Sequence, residues 1–168
     1  AKIMSIYEGT NGIQALDLLG RKLRQKGGAL FMDWMQDGLK SCAQAKEAGY
    51  ANEAGQLEKA IQHLGATAMH LGQVGATGNL EAAMLQATPL LEMFGIVHLG
   101  LEALEQALVA KQVAERDGES LHLKGKGANL KFYVGNLLPK AVALGKAIQA
   151  GDTTCLEPGL FGEAFGAA

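Results

Sequence analysis

The stretch LEKAIQHLGATAMHLGQVG, from Leu57 to Gly75, decides the fold. Its apolar and small positions alternate by four and three residues, which is the period of helices packed nearly in line, as in a bundle. Small residues between them allow neighbouring helices to approach closely. We therefore predict a helix from about Ala51 to Val74 whose inner face carries Leu57, Ile61, Leu64, Ala68, Leu71 and Gly75.

The same helical period continues on both sides of this stretch. It predicts helices over about 29–48, 79–117 and 128–150, with a kink near Leu85 because Pro89 lacks an amide. The polar, glycine-rich residues 117–127 have no helical period and predict a loop. We therefore expect an all-α chain, an up-and-down four-helix bundle preceded by a short helical segment.

Gly27 and Gly28 break the helical pattern and predict a domain boundary. We expect residues 1–27 to belong to the end of a preceding domain, residues 28–151 to form the bundle and residues 152–168 to form an irregular tail. The chain opens within a helical pattern that has no start signal, which we interpret as a cut inside a longer polypeptide.

The overall composition excludes several classes of partner. A net charge of -2 over 168 residues gives no field to hold nucleic acid or an acidic membrane surface. No run of about eighteen apolar residues is present, so we expect no membrane span. Two distant cysteines indicate neither a disulfide framework nor zinc, and the default expectation is a cytoplasmic protein.

The only group of chemically special residues is the junction SIYEGTNGIQ at residues 5–14. Gly9 is suited to end an incoming helix, and Thr10 or Asn11 to cap a new one, with Gln14 closing a capping box. Glu8 is then presented at a bend beside exposed backbone amides, where an anion is also favoured. The same residues are equally consistent with a plain capping turn that has no ligand and a glutamate exposed to solvent.

The helix after this junction is amphipathic. Ile13, Leu16, Leu19 and Leu23 recur every three or four residues, which predicts that they share its inner face. Lys22, Arg24 and Lys26 give its last turn a positive charge that is favourable against the helix dipole.

Tyr7-Glu8-Gly9-Thr10-Asn11, followed by Ile13-Gln14 and a leucine-rich helix that ends Gly20-Arg21-Lys22-Leu23, resembles the end of an acyl-CoA dehydrogenase. These flavin enzymes desaturate acyl-CoA thioesters, and large bacterial members carry an extra helical domain at the C-terminus. The resemblance implies that Glu8 is the catalytic base, that Gly9 lies against the thioester and that Thr10 and Asn11 line the FAD site. Gly12 departs from the family, which usually has Gln or Glu there.

The resemblance further implies an acyl-CoA substrate and an electron acceptor. The 79–117 helix is apolar on more than one side, which suggests contact with a second subunit or with the rest of the enzyme, and we expect a homo-oligomer. We expect no turnover from the chain alone, because the flavin domain and most of the acyl pocket are missing. The alternative function is a non-catalytic helical interaction or oligomerisation module.

Other candidate sites in the sequence have simpler interpretations. The histidines lack carboxylates at matching spacing, so we expect no metal site. Gly125-Lys126-Gly127 lacks the strand and the ending of a P-loop and is interpreted as a linker. Met32, Trp34 and Met35 have helical spacing and are interpreted as core residues.

Overall fold

The computed structural model describes residues 10–157 and Gly159. Within that part of the chain every regular element is helical, so the predicted all-α fold is confirmed. The α-helices are α1 Thr10–Gly20, α2 Ala29–Glu47, α3 Ala51–Ala76, α4 Leu80–Leu85, α5 Ala87–Asp117, α6 Leu121–Asn136 and α7 Pro139–Ala150. Short 3-10 segments follow α1 (Lys22–Gly28) and α7 (Thr154–Leu156).

The long helices form an up-and-down bundle around α3 and α5. Gly38 of α2 lies beside Ile61 of α3, and Lys46 pairs with Glu58, so these two helices are antiparallel. Leu57 lies against Gly100 of α5, which runs antiparallel to α3. α6 and α7 return together along α5, and the bundle prediction is therefore confirmed.

The core sits where α5 contacts the other long helices. Leu57, Ile61 and Leu64 of α3 are fully buried, as their spacing predicts. Burying each such side chain contributes roughly 1.5–3 kcal/mol. α5 supplies a matching set of buried residues, which are Leu90, Met93, Val97, Leu101 and Leu104.

The predicted kink near Leu85 is a full break, and a second break divides the helix predicted over 128–150. The kink before Pro89 is a break at Gln86, where α4 ends and α5 begins. The helix predicted over 128–150 is two helices, because the backbone departs from a continuous α-helix at Leu137 and Leu138 before Pro139 begins α7. Pro139 at the first helical position has no amide that needs a partner.

The loop predicted over residues 117–127 is confirmed only at residues 118–120 and is wrong for the rest of that range. α6 already begins at Leu121, where Ser120 Oγ accepts a hydrogen bond of 3.3 Å from the Leu123 amide. Gly127 lies inside α6 and packs against the ring of Tyr50, since a Cβ on Gly127 would be 2.9 Å from Tyr50 Oη. A glycine that indicated a linker is therefore a site of close helix packing.

The helix after the junction is shorter than predicted. α1 ends at Gly20, and the chain turns through Gln25, Lys26 and Gly27, which have non-helical backbone angles. α1 packs mainly on α5 and shares one core with the bundle through Ala15 and Leu19. The domain boundary after residue 27 stays a prediction.

α5 is 31 residues long and is apolar enough, by length and composition, to cross a membrane. Half of its most apolar window (50%) is buried inside the bundle, and the central helix of a bundle meets the same criterion. The expectation that the chain has no membrane span therefore stays a prediction.

Candidate functional site

The residues of the predicted site lie at and just before the start of α1. Glu8 and Gly9 fall outside the described residues. Thr10 and Asn11 are the first two described residues of α1, and both are exposed. Because both are already helical, neither is the flanking cap residue, and the predicted capping box of Asn11 with Gln14 is wrong.

The inner face of α1 differs from the predicted stripe. Ala15 is fully buried and Leu19 nearly so, whereas Ile13 and Leu16 are 69% and 48% exposed. The small Ala15 lets the α1 backbone approach α5 closely, which rotates the larger side chains outward. Ile13 and Leu16 therefore form an exposed apolar face, here called the α1 outer face, that begins within one turn of Thr10 and Asn11.

The other end of α1 is fixed by charge. Arg21 donates two hydrogen bonds to Asp17, of 2.6 and 2.7 Å, and Lys22 Nζ lies 3.5 Å from the same carboxylate. The hydrogen bond from Arg21 and these two positive charges hold the pKa of Asp17 below its ordinary value. The pairs are exposed, so they orient the end of the helix more than they stabilise the fold.

An aromatic cluster joins α2 to α5. Trp34 stacks on Phe94 with ring centroids 4.6 Å apart, and Phe31 lies 5.9 Å from each of these rings. All three rings are partly buried and pack against the core, as predicted for Trp34. Met35 also packs against the core as predicted, but the core prediction is wrong for Met32, which is 49% exposed. His98 lies at the edge of the cluster, 6.1 Å from Trp34, and pairs loosely with Glu102 at 3.8 Å.

The histidines form no metal centre in the part of the chain that the structure describes, where no three potential ligands converge. Nε2 of His63 is buried and has no hydrogen-bond partner in that part of the chain. It lies against Gly145, where any side chain would collide with the imidazole. The ring therefore serves as a packing group between α3 and α7.

The helical bundle matches a known protein family. Residues 31–158 match the family described as Acetyl-CoA dehydrogenase C-terminal like. The chain belongs to this family. The resemblance to acyl-CoA dehydrogenases predicted from Tyr7–Asn11 is therefore confirmed.

Two relatives from Syntrophomonas wolfei subsp. wolfei (strain DSM 2245B / Goettingen), both named butyryl-CoA dehydrogenase, match a larger share of the chain. They are 30% and 29% identical over 160 residues, which is 93% of this chain and 26% of each relative. The chain spans about a quarter of the length of these relatives. The family match begins within α2 and extends past the end of α7.

The structure brings Thr10 and Asn11 together with the α1 outer face, which the sequence analysis had placed in the core. The sequence feature that indicates the true orientation of α1 is Ala15. It lies four residues before Leu19, on the same face of the helix, and its small side chain permits the closest packing against another helix. Gly12 is exposed, and a Cβ built there meets nothing within 4 Å.

Proposed function

We propose that this chain is the C-terminal part of a flavin-dependent acyl-CoA dehydrogenase that desaturates an acyl-CoA thioester between its α and β carbons. The α1 outer face carries this proposal. A motif that resembles the catalytic end of that enzyme class leads directly into a helix whose two largest outward side chains, Ile13 and Leu16, are apolar and exposed. Such a face needs a partner, and the rest of the dehydrogenase polypeptide supplies one.

In this proposal Glu8 removes a proton from the carbon next to the thioester carbonyl. A carboxylate in an apolar pocket has a raised pKa, which makes it a competent base near neutral pH. Gly9 lies against the thioester, and its missing side chain permits that approach. FAD, when bound, accepts the hydride from the adjacent carbon.

Thr10 and Asn11 would contact the flavin. Both present polar side chains at the exposed start of α1, which fits a contact with the polar edge of a flavin bound by another part of the enzyme. The electrons then leave for a separate acceptor. The isolated chain has no turnover, because most of the acyl pocket and the flavin domain belong to the rest of the enzyme.

The test is Glu8→Gln in the full-length enzyme, assayed by dye reduction with butyryl-CoA and longer acyl-CoA substrates. We expect the rate to fall by about 10²–10⁴-fold, the usual contribution of a general base. Glu92→Gln is the matched control, since Glu92 is exposed on α5 and carries no ion pair within the described residues. An unchanged rate in Glu8→Gln, or dye reduction by the 168-residue chain alone, would contradict the proposal.

A second function, assembly of subunits, is favoured by the exposure of Leu99 and Phe132. These side chains are 57% and 60% exposed on α5 and α6. Leu99→Lys in the full-length enzyme should then lower the oligomer mass in sedimentation while keeping its desaturation rate per active site. An oligomer of unchanged mass would reject this function.

A further inference from the structure

A pocket of about 310 Å³ lies between the end of α1, the end of α3 and α4. This volume falls at the lower end of the range for small-molecule sites. Its walls are apolar, with Leu19, Leu71 and Ala83 at 8%, 2% and 3% exposure, and Met84 adds a flexible thioether. Gly20, Gly72, Gly75 and Ala76 leave the space between these walls open. The pocket is here called the α1–α4 pocket.

Among the described residues that line this pocket, Arg24 has the only charged side chain, and it lies on the 3-10 segment after α1. Arg24 is exposed, and its backbone amide donates to the Arg21 carbonyl at 3.1 Å. Its guanidinium makes no hydrogen bond or ion pair with any residue that the structure describes. Its neighbours Arg21 and Lys22 are already paired with Asp17. An unpaired guanidinium at the rim is therefore available for an outside anion.

Four other surface grooves differ in this respect, because each includes at least one glutamate. In the largest of them Glu47, Glu105 and Glu115 outnumber Lys111, whose Nζ already donates to the Ala48 carbonyl. The α1–α4 pocket thus combines apolar walls with an uncompensated positive charge. That combination suits an amphiphile with an anionic head.

We propose that the α1–α4 pocket binds an acyl chain that ends in a carboxylate. The chain would lie among Leu19, Leu71 and Met84, and the carboxylate would accept hydrogen bonds from the Arg24 guanidinium. A planar guanidinium can donate two parallel hydrogen bonds to a carboxylate, which fixes the head group while the walls hold the tail. None of the described residues that line the pocket has a part in the proposed desaturation.

The binding test uses the 168-residue chain with its methionine methyl groups labelled for NMR. Sodium octanoate, kept below its micellar concentration, should shift the Met84 methyl signal saturably. The signals of Met32 and Met69, which are exposed outside the pocket, should stay unchanged. Affinity should rise about fourfold for each methylene buried, from butanoate to octanoate, as expected for apolar burial. Equal shifts at Met69 and Met84 would overturn the proposal, since they indicate non-specific association.

The head group is tested with Arg24→Gln and with a neutral ligand. The variant should weaken octanoate binding about tenfold or more, because a charge-assisted hydrogen bond is lost. Lys131→Gln, a change at an exposed lysine on α6, is the matched control and should bind as the parent does. Octanol binding as tightly as octanoate would overturn the role of Arg24 and with it the proposed ligand class.

The pocket itself is tested with Gly72→Leu. A Cβ at Gly72 meets nothing within 4 Å, so the new side chain can enter the open space and should abolish binding. Gly55→Leu, at a similarly open glycine on the same helix, should keep binding. Retained octanoate binding in Gly72→Leu would overturn the proposal.

Two further controls distinguish the proposed carboxylate ligand from other possible occupants of the α1–α4 pocket. If the natural ligand is a free acyl carboxylate, monomeric octanoate binds and vesicles of phosphatidylglycerol compete poorly. Vesicle association without octanoate binding would place an anionic membrane on this surface and overturn the proposal. A Met84 signal that moves with protein concentration in the absence of ligand would assign the pocket to a second copy of the chain, again overturning it.

Discussion

Gly145 and His63 occupy one site between α7 and α3, and neither could be larger. The imidazole lies where a Cβ on Gly145 would be, and Met93 of α5 closes the other side at 3.0 Å from that position. The ring carbon Cδ2 of His63 is only 2.7 Å from it. A Cβ on Gly145 therefore requires the imidazole and the Met93 methyl group to move, which disturbs the packing between the three helices.

Gly145→Ala should therefore destabilise the bundle, by about 1–3 kcal/mol, as overpacking in a well-packed interior does. Chemical denaturation of the isolated chain measures the change. Gly125→Ala is the matched control, because this exposed glycine lies within α6 and has no atom within 4 Å of an added Cβ. It should stabilise the chain by roughly 0.5–1 kcal/mol through helix propensity. Equal stability in the two variants would contradict the packing contact.

The two cysteines should react at very different rates. Cys42 is fully buried and Cys155 is exposed. Burial raises the pKa of the Cys42 thiol from its ordinary 9.0 to about 11, and the charge of Glu58 acts in the same direction. A thiol reagent at pH 8 should modify Cys155 rapidly and Cys42 only after denaturation. Modification of both at one rate in the folded chain would contradict this burial.

Titration of the Cys42 thiol also makes the free energy of unfolding depend on pH in the alkaline range. The folded pKa lies above the unfolded value, so the unfolded chain releases this proton first and stability falls between about pH 9 and 11. Cys42→Ala should remove the part of this loss of stability that is due to the thiol. The comparison is made between denaturation curves of the two proteins, because lysines and tyrosines titrate in the same range in both.

At the scale of elements, the start of α6 depends on one side chain. Ser120 adopts an extended backbone and its hydroxyl satisfies the Leu123 amide, while Leu121 is 87% exposed and contributes little burial. Ser120→Ala should cost about 1 kcal/mol, with increased fraying of the first turn of α6. Ser120→Asp, which also caps, should restore the stability; a loss as large as that of alanine would contradict the capping role. Denaturation and amide exchange at Leu123 measure both effects.

The helices whose apolar period was regular were predicted well, and α3 is the clearest case. Leu57, Ile61 and Leu64 are all fully buried, because a period sustained over many turns leaves one face for the core. The start of α6 was missed because the glycine at 127 is explained only by Tyr50, far away in the sequence. A pattern within a segment does not reveal such a contact.

The candidate site was predicted from the types of residue in one motif, and not from any expected three-dimensional arrangement of them. The motif at residues 7–11 identified the family, yet Glu8, the proposed base, lies outside the described part of the chain. The orientation of α1 was predicted wrongly, because the sequence ranks Ile13 and Leu16 above Ala15 in hydrophobicity, whereas close packing on α5 selects the smaller side chain. Arg24 was assigned to the helix end, and its place beside a pocket depends on the turn after Gly20.

At the scale of the whole molecule, α1 and the bundle share one core although the predicted domain boundary falls between them. Removing residues 1–20 should uncover the α5 surface that Ala15 and Leu19 bury and destabilise the remaining chain by roughly 2–4 kcal/mol, the contribution of about two buried apolar side chains. Denaturation of residues 21–168 against the full chain measures this. Unchanged stability would show that residue 27 separates independent units.

The central position of α5 also affects how the protein forms as it leaves the ribosome. The α2–α3 hairpin emerges first, but its apolar faces have no cover until residues 87–117 have been synthesised. A nascent chain that stalls before that point exposes Leu57, Ile61 and Leu64 together, which is the kind of surface that chaperones bind. Folding of the bundle during translation is therefore delayed until residues 87–117 have cleared the exit tunnel.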